Sequence, residues 1–319
     1  MTLSRIPTLF FWGGLLLRSP QADAIKRTID APEQYCDLTD EVFVILGATS
    51  AMGPIEVLLR HGATVVAVDL DRSGTWTNLL KKLEHSPGRM IIPVFKDKVD
   101  GDGSALGDLD DSALAAVAGC NLLTQVPMIA RWFKALMNDG LVPASGNNLT
   151  VGNYTYLDGE LHVRLAVACN FLIDALCDVN TECKIAFLCT PPDCHLIPEA
   201  AFNAAQENYA NAPLWQKMFA GLLGLKRNRM KPVEAEDGTY YMVDGIVGQQ
   251  GPNYALAKRL QHWMAVAQRA EGHTVASNVA PSTATISVTH NVLFKMAYGG
   301  MHLFKPMEVR VSNSCAFLV

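Results

Sequence analysis

The sequence predicts an α/β fold, a doubly wound parallel sheet with helices on both faces. Three observations carry this. Short apolar strands alternate with helical segments over most of the 319 residues, the pattern of successive βαβ units. The first strand leads through a glycine-bounded turn into a helix and on to a second buried strand. Half of the chain is hydrophobic, yet only 18% is charged, against about 25% in typical soluble domains. Parallel strands buried on both faces read as such nearly continuous apolar runs.

The elements follow in order. Glu41–Leu46 (EVFVIL) is the first strand, ended by Gly47. Pro54–His61 reads as a helix, with proline in its first turn, where the missing N–H is not needed. Gly62 stops it, and Ala63–Val68 is a second buried strand that ends in Asp69. A helix near Thr75–His85 and a strand at Met90–Phe95 come next. An Asp/Gly-rich loop, Asp97–Asp111, leads to a helical region, Ser112–Met137, that Pro127 interrupts. Leu149–Tyr156 and Lys184–Cys189 are expected as the fourth and fifth strands, with a helix at Glu160–Cys177 between them. A helix within Pro252–Ala270 and a strand at Thr274–Val279 complete the alternation.

The expected organisation is a single Rossmann-type domain over residues 41–319, with an N-terminal arm, 1–40, and an inserted subdomain, 191–250. The apolar excess outside the sheet concentrates in two places. Leu9–Leu17 (LFFWGGLLL) is nine residues long, against about 20 needed to cross a bilayer. It resembles a secretory signal only faintly, because Pro7 interrupts it and Arg18 follows at once. The second place is Ala212–Met230, which runs into the basic residues Lys226, Arg227, Arg229 and Lys231. Both stretches are expected to be covered by the body or by a second copy in a homo-oligomer, with membrane contact through 9–17 or 214–231 the lesser alternative.

A net charge of -5 gives no electrostatic reason to expect nucleic acid. The eight cysteines form no CxxC pair, and Cys189 with Cys194–His195 lacks a second ligand pair at zinc spacing. No metal is expected, and a reducing, cytoplasmic compartment is the default.

Two constellations carry chemistry. Gly47–Gly53 (GATSAMG) lies where a dinucleotide's phosphates would sit. Gly47 permits the tight turn and Gly53 lets the helix pack closely. Backbone groups of Thr49, Ser50, Ala51 and Met52 line the turn. Ala51 stands where the usual pattern has its middle glycine. Asp69, at the end of the second strand, is placed to accept the ribose hydroxyls of NAD and to repel a 2′-phosphate, although Arg72 nearby leaves NADP open. The second constellation is Tyr254 and Lys258 (YALAK), one helical turn apart and on one face. A cation beside the phenol favours the phenolate and brings the tyrosine toward neutral proton exchange.

With these residues the chain resembles the short-chain dehydrogenase/reductase superfamily over about residues 41–290. The carriers are GATSAMG, Asp69, the strand KIAFLCT, the YALAK helix and Asn278–Pro281. The resemblance implies a Tyr254 acid/base, a Lys258 that also holds the nicotinamide ribose, and a Thr190 that orients the substrate oxygen. It further implies cofactor contacts from Asp97, from Asn153 in Gly152–Tyr154, and from Pro281 with Thr283 or Thr285. The sequence departs from the family where the insertion separates Thr190 from Tyr254 and where Asn-Asn-Ala-Gly is missing after the fourth strand. Asn170 is the candidate for the family's helical asparagine. His162 and Arg164 read as supporting or surface groups, and Asp193 and His195 as residues of a loop or pocket mouth.

The expected function is an NAD(P)-dependent oxidoreductase, with NAD favoured by Asp69, that interconverts a secondary alcohol and a ketone on a small-molecule substrate, for which the apolar insertion hints at apolar character. A non-catalytic NAD(P)-binding scaffold or redox sensor is the alternative. A nicotinamide-dependent epimerase or dehydratase would use the same residues, and a methyltransferase would leave YALAK unexplained. No GxSxG, HExxH or Walker A sequence is present, so the common hydrolase and NTPase readings fall away.

Overall fold

A computed structural model describes residues 26–50, 52–94, 109–189, 194–222, 230–244 and 251–279. After a helical turn at Pro32–Tyr35 the elements run β1 (Val42–Leu46), α1 (Ile55–Arg60), β2 (Thr64–Val68), α2 (Ser73–Leu83), β3 (Arg89–Ile91), α3 (Asp111–Val117), α4 (Val126–Asn138), β4 (Leu149–Asn153), α5 (Glu160–Cys177) and β5 (Lys184–Cys189). They continue with β6 (Cys194–Ile197), α6 (Glu199–Ala210), α7 (Leu214–Leu222), β7 (Val233–Ala235), β8 (Gly238–Asp244), α8 (Gly251–Ala270) and β9 (Val275–Val279). The described residues divide into two compact units, one built from 35–189 with 251–279, the other from 26–34, 194–222 and 230–244.

The larger unit is a six-stranded sheet in the order β3-β2-β1-β4-β5-β9, parallel at every pairing. Strand side chains alternate between two cores. Val44, Leu46, Val66 and Val68 face one way, into a core with α4, α5 and α8. Ile45, Val65 and Ala67 face the other way, against α1, α2 and Trp76. Helices therefore cover both faces, and the strand order reverses between β1 and β4. That reversal opens a crevice at the carboxyl ends of these strands, where open α/β sheets bind ligands.

The predicted elements are recovered with shifted ends. β4 stops at Asn153 rather than Tyr156, and β3 is only Arg89–Ile91. Pro127 does not interrupt a helix; it opens α4 in its first turn, where its lost N–H costs nothing. Ala118 pairs with Val94 instead of continuing α3.

The smaller unit holds an antiparallel sheet in the order β6-β8-β7. Ile197, Phe202 and Val243 form its small core, and the Phe202 and Tyr241 rings lie 4.9 Å apart. On α7, Leu214, Met218 and Leu222 are exposed. Among the described residues no helix is long and apolar enough to cross a membrane. Leu9–Leu17 and Lys226–Arg229 lie outside the described residues.

Gly47 fixes the start of the crevice. It sits at φ +81, and a Cβ there would lie 2.9 Å from the backbone of Tyr154 and Thr155. Strain and clash act together, so Gly47→Ala is expected to lower stability by about 2–4 kcal/mol. Urea denaturation without any nucleotide checks this, and an unchanged midpoint would mean that the glycine serves only a ligand.

Candidate active site

Four strand ends supply the site. The glycine turn follows β1, Asp69 follows β2, Asn153 closes β4, and Leu188 lies one residue from the end of β5. Thr190, Ala51, Asp97, Pro281, Thr283, Thr285 and Asp193 lie outside the described residues. The structure thus brings Gly47, Thr49, Ser50, Met52, Gly53, Asp69, Asn153, Tyr254 and Lys258 to the carboxyl edge of one sheet.

The turn's hydrogen bonds are satisfied within the protein. Gly47 N and Ala48 N both donate to Val68 O, at 2.9 and 3.2 Å. Ser50 N donates to Gly47 O, and Gly53 N to Ser50 O. Met52 N reaches Ser50 Oγ at 3.4 Å. Thr49 gives its N–H to Asp69 Oδ2 at 2.7 Å and its hydroxyl to the same oxygen at 2.6 Å. Asp69 Oδ1 accepts from Leu70 N at 2.7 Å. A carboxylate offers about four lone pairs, and these three bonds leave one on Oδ1, enough to accept one hydroxyl.

Asn153 is 1% exposed. Its Oδ1 accepts from Thr155 N and Thr155 Oγ1, at 3.2 and 2.8 Å. Its Nδ2 is buried and has no partner among the described residues. Such an atom costs about 1–3 kcal/mol and marks a place where a ligand or water acceptor belongs. Asn170 instead ties α5 to α8, with Nδ2 donating to Leu260 O at 3.5 Å.

Tyr254 lies in the second turn of α8 and Lys258 one turn further on. The Lys258 ammonium is 5.8 Å from the centroid of the Tyr254 ring. It donates to Gln261 Oε1 at 3.0 Å and to Leu188 O at 3.4 Å, which anchors the cation to the end of β5. Lys258 is only 6% exposed, and these bonds offset part of its desolvation.

His162, expected from the sequence to be a supporting or surface group, and Tyr156, expected there only as the end of the fourth strand, complete the cluster. His162, in the first turn of α5, packs its ring 5.5 Å from that of Tyr254 and 5.0 Å from that of Tyr156. The two tyrosine rings are 6.2 Å apart. Tyr156 donates its hydroxyl to Asp158 at 2.7 Å; burial, and then this bond, push its phenol up. His162 is 1% exposed, whereas Arg164 is exposed. Burial first, then the Lys258 charge, lower the His162 imidazole to about 4, with Asp158 opposing. The signal in the sequence was the helical spacing of His162 with Leu165, Ala166 and Cys169, all buried. That spacing puts it on the inner face.

No protein-family model matches the chain, and no curated protein matches it.

The depressed His162 sets the sign of one pH effect. Between about pH 6.5 and 4 the unfolded chain binds a proton that the folded chain does not. Stability from this group is therefore fully present above the window and falls as pH drops through it, by about 3 kcal/mol in all. Urea melts across the range should show His162→Gln with a shallower acid loss than the parent. Parallel curves would mean that His162 titrates normally.

Proposed function

We propose that the chain is an NAD-dependent oxidoreductase that interconverts a secondary alcohol and a ketone. The observation that carries the reading is the placement of Tyr254 beside a buried Lys258 whose ammonium is anchored at the end of β5. An acid/base group needs a neighbour that favours its charged form, and a cation next to a phenol does so.

The donor set suits a dinucleotide. The remaining lone pair of Asp69 Oδ1 would accept a ribose hydroxyl, and a carboxylate there disfavours a 2′-phosphate, hence NAD. Asn153 Nδ2 offers an unused donor near the reacting end, and Lys258 a cation for the second ribose. Bound nicotinamide supplies the hydride acceptor or donor. Tyr254 Oη takes the proton of the substrate hydroxyl during oxidation and returns it during reduction. Lys258 holds the phenolate form while that proton is away. Thr190, by the family resemblance, would orient the substrate oxygen.

One observation favours the alternative, a non-catalytic scaffold: the turn amides already have protein acceptors. Thermal shift with NAD(H) and NADP(H) decides between them, since a ligand that binds only the folded chain raises its melting temperature. The expected result is a shift with NAD(H) that Tyr254→Phe retains. That variant should lower kcat by about 10²- to 10⁴-fold across a panel of secondary alcohols. Full turnover by Tyr254→Phe, or no shift with either nucleotide, overturns the reading.

Thr49 now holds two of the lone pairs on Asp69. Thr49→Val removes the hydroxyl bond and returns one of them, so NAD affinity should rise about 2- to 10-fold, measured by titration calorimetry. Weaker binding would show that Thr49 orders the turn for the nucleotide.

A further inference from the structure

We infer that α7 is a membrane-docking helix: its outward apolar face enters the headgroup region of a bilayer, and the cations that follow it in the sequence hold an anionic lipid surface. The inference is independent of the oxidoreductase reading and concerns only the smaller unit.

Exposure and orientation lead there first. The three most exposed large hydrophobic residues among those described are Leu222 at 83%, Leu214 at 73% and Met218 at 66%, and all three stand on α7. Trp215, also exposed, borders them. At about 100° per residue, these four fall within about 100° of the helix circumference. Gln216 lies outside that arc and is only 3% exposed, and Lys217 turns back along the unit, donating to Ala210 O at 2.8 Å. The helix therefore has a glutamine inward and its leucines and methionine outward, the reverse of what packing on a core produces. Apolar patches turned to solvent in this way mark surfaces that meet something else.

Charge says what meets this face. From Leu214 to Val233 the sequence holds Lys217, Lys226, Arg227, Arg229 and Lys231 and no Asp or Glu, in a chain whose net charge is -5. Lys231, which lies among the described residues, is exposed. An apolar helix face that includes a tryptophan, with a run of cations beside it, is the composition that binds an anionic bilayer interface. A second copy of the chain fits poorly, because a two-fold contact would set these cations against themselves with no acid to pair them. A nucleic acid would leave Leu214, Met218 and Leu222 in water. α7 has nine residues, about 13 Å of helix against about 30 Å of hydrocarbon. It therefore lies in the interface and does not span it.

The test is sedimentation of the full chain with large unilamellar vesicles, made either of phosphatidylcholine alone or of equal parts phosphatidylcholine and phosphatidylserine. The expected result is binding to the mixed vesicles at least about tenfold tighter than to phosphatidylcholine, weakening as NaCl is raised. Leu222→Asp should weaken that binding at least about tenfold and keep the parent's melting temperature, since the side chain stands in solvent. Arg227→Glu combined with Arg229→Glu should also weaken it at least about tenfold. Phosphatidylcholine with brominated acyl chains should quench the tryptophan emission of the parent more than that of Trp215→Phe, which locates the inserted residue on α7.

No binding to the mixed vesicles overturns the inference, as does equal affinity for the two compositions. Binding that Leu222→Asp leaves unchanged, or quenching equal in Trp215→Phe and the parent, does the same by placing the contact elsewhere in the chain. Where Leu222→Asp lowers the melting temperature, Met218→Ser on the same face takes its place, and retained binding in that variant is equally decisive. A parent that ignores both vesicles, with a sedimentation coefficient that Leu222→Asp lowers in their absence, assigns the face to a second copy and overturns the membrane reading.

Discussion

The crevice depends on a contact between two chain reversals. β1 and β4 lie side by side, with Leu46 opposite Asn153, and each is followed by a turn. The first turn passes so close to the second that only a glycine at position 47 fits against the Tyr154–Thr155 backbone. Once Gly47 is seated, Tyr154 N donates to Leu46 O at 2.9 Å, and the chain after β4 has little freedom. It is this segment that carries Tyr156 to the edge of His162 and starts α5 beside α8. The placement of the aromatic cluster is thus downstream of a steric requirement about the glycine turn.

The same turn is economical with its polar groups. Each described amide from Gly47 to Gly53 has an acceptor inside the protein, and Asp69 serves as one of them. A dinucleotide reaching this edge would compete with Thr49 for Asp69 instead of meeting an open cradle. Such competition would lower the apparent affinity of a dinucleotide by the free energy of the contact displaced.

The sheet was legible in the sequence because its strands are buried on both faces. EVFVIL and ATVVAV contain little but apolar residues, and glycine or proline stands near their ends. α5 and β5 have the bounds that periodicity predicts. The ends of β3 and β4 were not legible, since apolar residues continue beyond the last sheet hydrogen bond: Tyr154 packs against the helix-side core and Ile92 against it as well. Of the site, Tyr254 and Lys258 were visible from their spacing, and Asp69 from its place after the second strand. His162 was not, because a histidine on the inner face of a helix is usually a satisfied core residue. Its vacant nitrogens exist only once Tyr156 and Tyr254 have closed around it. The fate of Asp69 was hidden for a similar reason, since nothing in the spacing tells that Thr49 folds back onto its carboxylate.

Among the described residues of the cluster, Lys258 is the buried cation. Lys258 carries its charge with 6% exposure, and its ammonium is held by a carbonyl and an amide oxygen. Both of these acceptors are neutral, and the Lys258 charge is felt at the neighbouring His162 ring. At His162 that field adds to burial in excluding a second proton. The same ammonium lies 5.8 Å from the centroid of the Tyr254 ring, the arrangement on which the proposed acid/base role of Tyr254 rests. A second cation at position 162 would oppose the first. The amide oxygen of Gln261 accepts from that ammonium without adding a charge of its own.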